Sequence, residues 1–283
     1  MCGIIGYVGP KEATPILIDG LRRLEYRGYD SAGVAIFDGQ HLALRRAKGK
    51  LSRLESALAE SPLHGHLGVG HTRWATHGRP SEENAHPHVV DGVAVVHNGI
   101  IENHLQLRAD LAASGSIFRS ETDTELVAHL IARQMRAGAG LEQAVRHALG
   151  EIRGAFALVI VAEGEPDKII VAKNASPLVI GLGQGENFVA SDIPAILNHT
   201  REIIFLDEGE MAVISADRVR VTAIASDVEI EKSVTHVTWS PVAAEKGGYK
   251  HFMLKEIHEQ SGTIADCMRG RMNAEEGWIH LGG

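Results

Sequence analysis

The grouping of the apolar runs restricts the fold of this chain more than any other feature of its sequence. Short β-type runs alternate with amphipathic helical runs, but the helices come in pairs between groups of strands, so strict β-α-β alternation is excluded. The strand-like runs cover residues 4–8, 33–37, 67–71, 93–97, 155–161, 168–172, 178–181 and 187–190. The helical runs cover residues 13–24, 51–59, 104–113, 125–136 and 141–149. We therefore predict an α+β fold with four layers, in which helices cover two strand layers.

Composition limits the function classes. The 283 residues have a formal net charge of -8 and contain no polybasic run, which argues against nucleic acid or an anionic membrane as a partner. A signal segment and a bilayer-spanning apolar run are both absent from the sequence. Cys2 and Cys267 are too few and too far apart for a disulfide framework, so we predict a reducing, cytoplasmic location.

The pattern changes after Pro241. Gly247 and Gly248 interrupt it, and residues 251–268 form one polar helical run that ends in GWIHLGG. We predict one domain over residues 2–240 and the start of a second region over 241–283.

Two motifs suggest cofactors or metals but have the wrong spacing. In GLGQGENF, the glycines Gly181, Gly183 and Gly185 do not match a dinucleotide-binding loop, so a turn at a strand end is the better interpretation. Histidines are concentrated in HTRWATHGRPSEENAHPH without a helical H-x-x-x-H pair or a cysteine partner. We therefore predict neither a cofactor nor a metal.

Cys2 follows the initiator methionine directly and has two interpretations. It is either a small hydrophobic residue at the start of a buried strand or, after removal of Met1, a residue with both a thiol and a free α-amine. A terminal amine has a pKa of about 7.7–8.0 and a thiol one of about 8.5, so the amine can accept the thiol proton near neutral pH. One residue would then supply both the nucleophile and the base.

Three further motifs carry groups that suit the same chemistry. In VVHNGIIEN, Asn98 and Gly99 form either a turn between strand and helix or a pair of donors for an oxyanion. In HTRWATHG, Arg73 is either a surface residue stacked on Trp74 or a cation for a carboxylate. In SETDTE, Thr122 and Glu125 have the spacing of a capping box, which would place Asp123 in the first turn of a helix. A thiol, an oxyanion pair, a cation and an anion together suit an amino-acid amide, and glutamine is the obvious candidate.

With these residues in place, the sequence resembles a known family. MCGIIGYVG, LRRLEYRGYDSAG, HTRWATHG, NAHPH, VVHNGIIEN, SETDTE and SPLVIGLG are similar, in order and spacing, to motifs of class II glutamine amidotransferases. Within them the similarity is greatest to the glutaminase half of glutamine–fructose-6-phosphate aminotransferases, which make glucosamine 6-phosphate. The resemblance covers essentially the whole chain and implies the αββα sandwich of N-terminal-nucleophile hydrolases.

The resemblance also implies roles for individual residues. Cys2 would attack the glutamine side-chain amide, and Asn98 and the Gly99 N–H would hold the oxyanion. Arg73 would bind the α-carboxylate of the substrate and Asp123 its α-ammonium, and Thr76 and His77 would line the pocket. Trp74 would be a gate on a mobile glutamine loop, and Arg27 would support the nucleophile.

The C-terminus departs from the family pattern. YKHFMLKEIHEQ resembles a hinge into sugar-phosphate isomerase domains, but about half of the family's length is absent. The implied partners are therefore glutamine and a missing or separate isomerase chain, with a homodimer as one assembly of the full enzyme. Two alternatives stay open: the glutaminase half of a phosphoribosyl-pyrophosphate amidotransferase, and a catalytically silent module that binds glutamine or supports assembly.

Overall fold

The computed structural model describes residues 2–75, 78–238, 249–268, 272–273 and 278–279. The chain forms two compact units, Met1–Thr238 and Trp239–Gly283. The strands of the first unit are β1 (Gly3–Val8), β2 (Ser31–Phe37), β3 (Leu42–Lys48), β4 (Leu67–Arg73), β5 (His88–Val90), β6 (Val93–Ile101), β7 (Gly154–Ala162), β8 (Ile169–Asn174), β9 (Val179–Leu182), β10 (Asn187–Ala190), β11 (Glu202–Phe205), β12 (Glu210–Ile214), β13 (Val219–Ala223) and β14 (Thr235–His236). Its α-helices are α1 (Ala13–Leu24), α2 (Leu51–Glu60), α3 (His104–Ala113), α4 (Glu125–Arg136) and α5 (Leu141–Glu151).

These strands form two antiparallel sheets. The eight-stranded sheet has the order β14-β11-β9-β10-β1-β4-β2-β3, and the six-stranded sheet has the order β13-β12-β8-β7-β6-β5. The central pair of the smaller sheet, β6 and β7, stays in register from Val93 opposite Ala162 to Ile101 opposite Gly154. β5 pairs with β6 only as far as Val95, so the remainder of that edge of β6 faces other parts of the molecule.

The core lies in three apolar layers, which explains the nearly continuous apolar strands. On β7, Leu158 and Ile160 pack with α3, α4 and α5, whereas Val159 and Val161 pack between the two sheets. The outer face of the larger sheet packs against α1 and α2. Because alternate side chains of a strand point to opposite faces, a strand buried on both faces must be apolar throughout. The predicted four-layer αββα arrangement is confirmed.

In the two sheets, β11, β12 and β13 fall in a stretch, residues 203–230, whose composition predicts strands, whereas β3, β5 and β14 were not predicted. β3 contains Arg45 and Arg46 and lies at the edge of the larger sheet, where half-buried charged side chains reach solvent. β5 has only three residues. β3 lacks the apolar composition on which the predictions depend, and β5 and β14 are too short to show a pattern.

The second unit contains α6 (Phe252–Met268), which matches the predicted helix over 251–268, and a short antiparallel pair, β15 (Met272–Asn273) and β16 (Trp278–Ile279). The break predicted at Gly247 and Gly248 lies outside the described residues. The functional division into residues 2–240 and 241–283 stays a prediction. In the described ranges, no helix combines the length and apolarity needed to cross a bilayer.

Candidate active site

One cavity of about 350 Å³ in the first unit collects the predicted site residues. Those of them that the structure describes all line it: Cys2, Arg27, Arg73, Trp74, Asn98, Gly99 and Asp123. Thr76 and His77 lie outside the described residues, so their roles stay predictions.

Strand pairing brings Cys2 and Arg73 to the same end of the larger sheet. Cys2 precedes β1, Arg73 ends β4, and the register places Gly3 opposite Thr72. A Cβ atom on Gly3 would lie 2.6 Å from both Leu24 Cβ and Thr72 Oγ1. The close approach of α1 and β4 therefore requires glycine directly after Cys2.

The main chain of Cys2 is held from two sides. Arg27 Nε donates a hydrogen bond to the Cys2 carbonyl oxygen at 3.1 Å, and Asn98 Nδ2 donates to the same oxygen at 3.0 Å. Arg27 is itself fixed, because its Nη1 donates at 3.0 Å to Asp192 Oδ2, which also accepts from the Tyr26 hydroxyl at 2.6 Å. The nucleophile predicted at Cys2 therefore has an immobilised backbone.

The Cys2 thiol lies against the backbone of Trp74. The Trp74 N–H donates to Sγ at 3.2 Å, and Sγ lies 3.5 Å from the Trp74 carbonyl oxygen, to which a thiol can donate. Burial raises the pKa of the Cys2 thiol, and the Trp74 N–H opposes this rise because it stabilises a thiolate. The thiol therefore needs a nearby base in order to act as a nucleophile.

Asn98 and Gly99 do not form the turn that their dipeptide suggests. Both lie within β6, opposite Ala157 and Phe156 of β7. Gly99 has a φ of 135°, and a Cβ atom there would lie 1.9 Å from the Ala155 carbonyl oxygen. Only glycine fits this strand position, which brings the backbone to the surface of the cavity.

Arg73 is not a surface residue. It is only 4% exposed, and its Nη2 donates to the Gly78 carbonyl oxygen at 3.1 Å. Burial lowers the pKa of its guanidinium, an effect that the nearby carboxylate of Asp30 opposes. The Trp74 side chain is 48% exposed, and its ring meets the Tyr29 ring edge-on, with centroids 5.4 Å apart.

Asp123 does not lie in the first turn of a helix, where a capping box at Thr122 and Glu125 would place it. α4 begins at Glu125 after Thr124 and has no side-chain cap, so Thr122 and Glu125 do not form a capping box. Glu125 instead accepts the N–H groups of Arg119 and Ser120 at 2.8 and 2.7 Å. Asp123 Oδ2 accepts the Ile101 N–H at 2.8 Å, which ties the carboxylate to the end of β6.

Sequence reasoning missed the remaining lining residues: His86, His97, Ile100, Thr122, Thr124, Ser176 and Pro177. The His86 ring lies between those of His71 and His88, tilted against the first and edge-on to the second, with centroid distances of 4.3 and 4.8 Å. Burial lowers the pKa of His71 to about 3 and those of His86 and His88 well below their usual value. The signal was present in the histidine-rich stretch, but only the fold shows that these rings meet.

Among the described residues, no group of three or more His, Cys, Asp or Glu side chains could hold a metal ion.

Comparisons with known proteins agree with this geometry. A family model described as a glutamine amidotransferase domain matches residues 71–198. The glutamine–fructose-6-phosphate aminotransferase (isomerizing) of Symbiobacterium thermophilum is 52% identical over an alignment of 283 positions, which covers 99% of this chain and 46% of the relative. Its counterpart in Thermococcus kodakarensis is 48% identical over 272 residues, 95% of this chain and 45% of the relative. The chain spans about half the length of the curated relatives it matches.

Solved structures support the same fold. The glutamine phosphoribosylpyrophosphate amidotransferase from B. subtilis, complexed with ADP and GMP, is 31% identical, with a TM-score of 0.69 over 79% of this chain and 49% of that chain. A glutamine aminotransferase class-II domain protein from Silicibacter pomeroyi is 17% identical, with a TM-score of 0.54 over 80% of this chain and 100% of that chain, and bears on the fold alone. The predicted N-terminal-nucleophile hydrolase sandwich is therefore confirmed. Together, the relatives, the family model and the fold establish that the chain belongs to the glutamine amidotransferases, as a domain similar to one half of the isomerizing glutamine–fructose-6-phosphate aminotransferases.

Proposed function

We propose that this domain hydrolyses the side-chain amide of glutamine to glutamate and ammonia, with Cys2 as the nucleophile. The observation that carries the proposal is the convergence of the Cys2 thiol, the Asn98 amide, the Arg73 guanidinium and the Asp123 carboxylate on one cavity of about 350 Å³. These four groups complement the reacting carbon, the developing oxyanion and the two charges of an amino acid.

Substrate binding depends on the charged pair. The guanidinium of Arg73 suits a bidentate interaction with the α-carboxylate. Asp123 uses Oδ2 for the Ile101 N–H, and its Oδ1 suits the α-ammonium. Recognition of both charges would fix the substrate main chain, so that its side-chain amide extends toward Cys2.

Acylation begins at the sulfur. The free α-amine of Cys2, exposed by removal of Met1, takes the thiol proton directly or through one water, and Sγ attacks the amide carbon. The carbonyl electron pair moves onto oxygen. One Nδ2 hydrogen of Asn98 is donated to the Cys2 carbonyl, which leaves the second hydrogen for this oxyanion, together with the Gly99 N–H.

Collapse of the tetrahedral intermediate breaks the C–N bond. The Cys2 ammonium returns its proton to the departing nitrogen, so that ammonia leaves and a γ-glutamyl thioester remains. Water then loses a proton to the same amine and attacks the thioester carbon, the C–S bond breaks, and the sulfur recovers the proton. Glutamate and the original cysteine result, with no net change in the enzyme.

The wider role follows from the relatives and rests on the same proposal. Ammonia released here would supply an acceptor site in a separate domain or chain, which forms glucosamine 6-phosphate from fructose 6-phosphate, and the domain alone would not make that product. The residue motifs and the 48–52% identity to the aminotransferases favour this acceptor over phosphoribosyl pyrophosphate, whose amidotransferase is 31% identical. The two cysteines, too few and too far apart in sequence for a disulfide framework, favour a cytoplasmic location.

The decisive experiment combines intact mass with ammonia release from glutamine, on the wild type and Cys2→Ala. We expect a mass that lacks Met1, and ammonia release that the substitution abolishes. Cys2→Ser serves as the matched control, because it keeps the amine and the size of the side chain but removes the thiolate. A chain that retains Met1, or that has a free Cys2 and releases no ammonia, would instead support the silent-module alternative.

A further inference from the structure

We propose that His71 is a positioning residue that fixes the orientation of the Asn98 side-chain amide, and so aims its donor at the reacting carbonyl. The inference deepens the proposed function and rests on it for its kinetic consequences. Its structural content, the position of one proton and of one amide, is independent of any activity.

The hydrogen-bond partners determine which way the Asn98 amide points. The Cys2 carbonyl oxygen can only accept, so the Asn98 group 3.0 Å from it must be the NH2. The amide oxygen Oδ1 then faces His71 Nε2 at 3.1 Å. Because Oδ1 can only accept, Nε2 must carry a proton.

A second neighbour leads to the same assignment. His71 Nε2 also lies 3.1 Å from the carbonyl oxygen of His97, which is another acceptor. A bare Nε2 would therefore face two oxygen atoms with no hydrogen to share. The opposite ring atom, Nδ1, is buried and has no hydrogen-bond partner among the described residues, as expected of the unprotonated nitrogen.

Burial keeps the ring neutral. His71 is fully buried beside the His86 ring, and desolvation lowers its pKa to about 3. A neutral imidazole has a single proton, and the two acceptors hold it on Nε2. The ring is therefore locked as the Nε2–H tautomer at physiological pH, and its donor is always present.

The consequence is a preorganised oxyanion donor. With Oδ1 held by His71 and one Nδ2 hydrogen held by Cys2, the Asn98 amide cannot rotate about its last torsion without losing both bonds. Its second Nδ2 hydrogen then keeps one direction. Without His71, only the Cys2 carbonyl still selects this orientation, so the flipped one, which turns an oxygen toward the developing negative charge, becomes more accessible.

The kinetic test is a double-mutant cycle on ammonia release. We expect His71→Leu to lower kcat by roughly 10- to 100-fold with little change in KM, since complete loss of one oxyanion donor costs roughly 10² to 10³ in rate. His71→Gln, whose amide can still donate to Asn98, should recover most of that loss. In the Asn98→Ala background, His71→Leu should have no further effect on kcat.

His199→Leu is the matched control. His199 is half-buried and, like His71, has a lowered pKa, and its ring stacks on Phe188 in the apolar layer outside the larger sheet. This change should leave kcat unaltered. Additive losses from His71→Leu and Asn98→Ala, or a His71→Gln variant as slow as His71→Leu, would overturn the proposal.

A spectroscopic test needs no activity and no variant that risks misfolding. Side-chain ¹⁵N NMR of the wild-type protein between pH 6 and 8 should show His71 with a protonated Nε2 and a bare Nδ1, unchanged across that range. The Nδ1–H tautomer, or a ring that titrates there, would refute the assignment. If the wild type released no ammonia, the proposed function would fail, while this measurement would still decide the position of the proton.

Discussion

The two sides of the cavity are built on different principles. One side, which we call the floor, consists of Cys2, Asn98 and Gly99, which lie in or next to paired strands, with His71 of β4 behind Asn98. The other, which we call the charged wall, consists of Arg73 and Asp123. The backbone of the floor residues is placed by strand register. The charged ends of the wall side chains are instead held by individual bonds to backbone groups: that of Arg73, at the end of β4, to the Gly78 carbonyl of a loop, and that of Asp123 to the Ile101 N–H at the end of β6.

The difference suggests that the two sides contribute to different steps, the floor to the reaction and the wall to substrate binding. Strand register is set by many cooperative contacts, so it suits groups that must meet a transition state within a fraction of an ångström. Loops accommodate a ligand more easily and can order around its charges. We therefore expect changes in the floor to lower kcat, and changes in the wall to raise KM.

The largest effect should come from the floor, at Gly99. Gly99→Ala would place Cβ 1.9 Å from the Ala155 carbonyl oxygen at a φ of 135°, so β6 must shift away from β7 and move the oxyanion donors. We expect kcat for ammonia release to fall by at least about 10²-fold. Circular dichroism would establish whether the fold survives.

Gly185→Ala is the control for that change. Gly185 also has a positive φ, of 67°, but nothing lies within 4 Å of a Cβ atom there. The substitution should lower the free energy of unfolding by about 1 kcal/mol, because alanine is strained at this φ, and should leave kcat unchanged. If Gly99→Ala were as active as Gly185→Ala, strand register would not be what places the oxyanion donors.

The next effect belongs to the wall, at Arg73. Arg73→Lys keeps the positive charge but removes the planar fork that grips a carboxylate, and it weakens the bonds to Gly78 and Arg79. We expect KM for glutamine to rise roughly 10- to 100-fold, corresponding to the loss of one or two charge-assisted hydrogen bonds, with kcat changed much less. Steady-state kinetics would measure both. A fall in kcat at constant KM would reject the division between floor and wall.

The third effect concerns stability against acid and comes from His86, a buried histidine of the cavity lining. His86 is buried, and its pKa is held well below its ordinary value in the folded state. As the pH falls below about 6.5, the unfolded chain binds a proton at this residue that the folded chain does not, so stability is lost on acidification. His86→Phe should therefore reduce the slope of unfolding free energy against pH by about 1.4 kcal/mol per unit between pH 6 and 4.

Urea denaturation at several pH values would measure that slope. Replacement of His147, which is exposed on α5, is the control. An equal effect of the two substitutions would mean that His86 is protonated in the folded protein.

How far the sequence predicts this molecule depends on whether a signal is local. The helices 13–24, 104–113 and 125–136 match the structure because a helix buries a face that its own periodicity reveals. Cys2, Arg73 and Asp123 were found because their chemistry is unusual in its context and because the motifs resemble a family. The roles given to them remain proposals.

The local interpretations that fail are those in which a partner outside the motif decides the structure. Asn98-Gly99 has the composition of a turn, but pairing with β7 continues the strand through both residues. Thr122 and Glu125 have capping-box spacing, but Glu125 is bound by the N–H groups of Arg119 and Ser120. The meeting of His71 with His86 joins β4 to a separate loop, and no single-sequence pattern contains that contact.

The smallest predicted effect tests whether the wall acts as a unit. Asn84, only 2% exposed, donates through Nδ2 to the Arg79 carbonyl oxygen at 3.0 Å and to Glu121 Oε2 at 2.9 Å, and its Oδ1 accepts the Glu121 N–H at 2.8 Å. It therefore joins the loop after Arg73 to the loop that carries Asp123. We therefore expect the spacing between the two charges that are proposed to bind the amino acid to depend on this side chain.

Asn84→Ala should raise KM for glutamine roughly 3- to 10-fold, the equivalent of about one hydrogen bond, and leave kcat within about 2-fold. Asn187→Ala is the matched control, since Asn187 is as deeply buried and its Nδ2 donates to the Ser215 carbonyl oxygen at 2.7 Å, but it does not line the cavity. Both variants should lose comparable stability in urea, and only Asn84→Ala should change KM. Equal KM values in the two variants would mean that Arg73 and Asp123 are positioned independently, and that the wall is two separate sites rather than one.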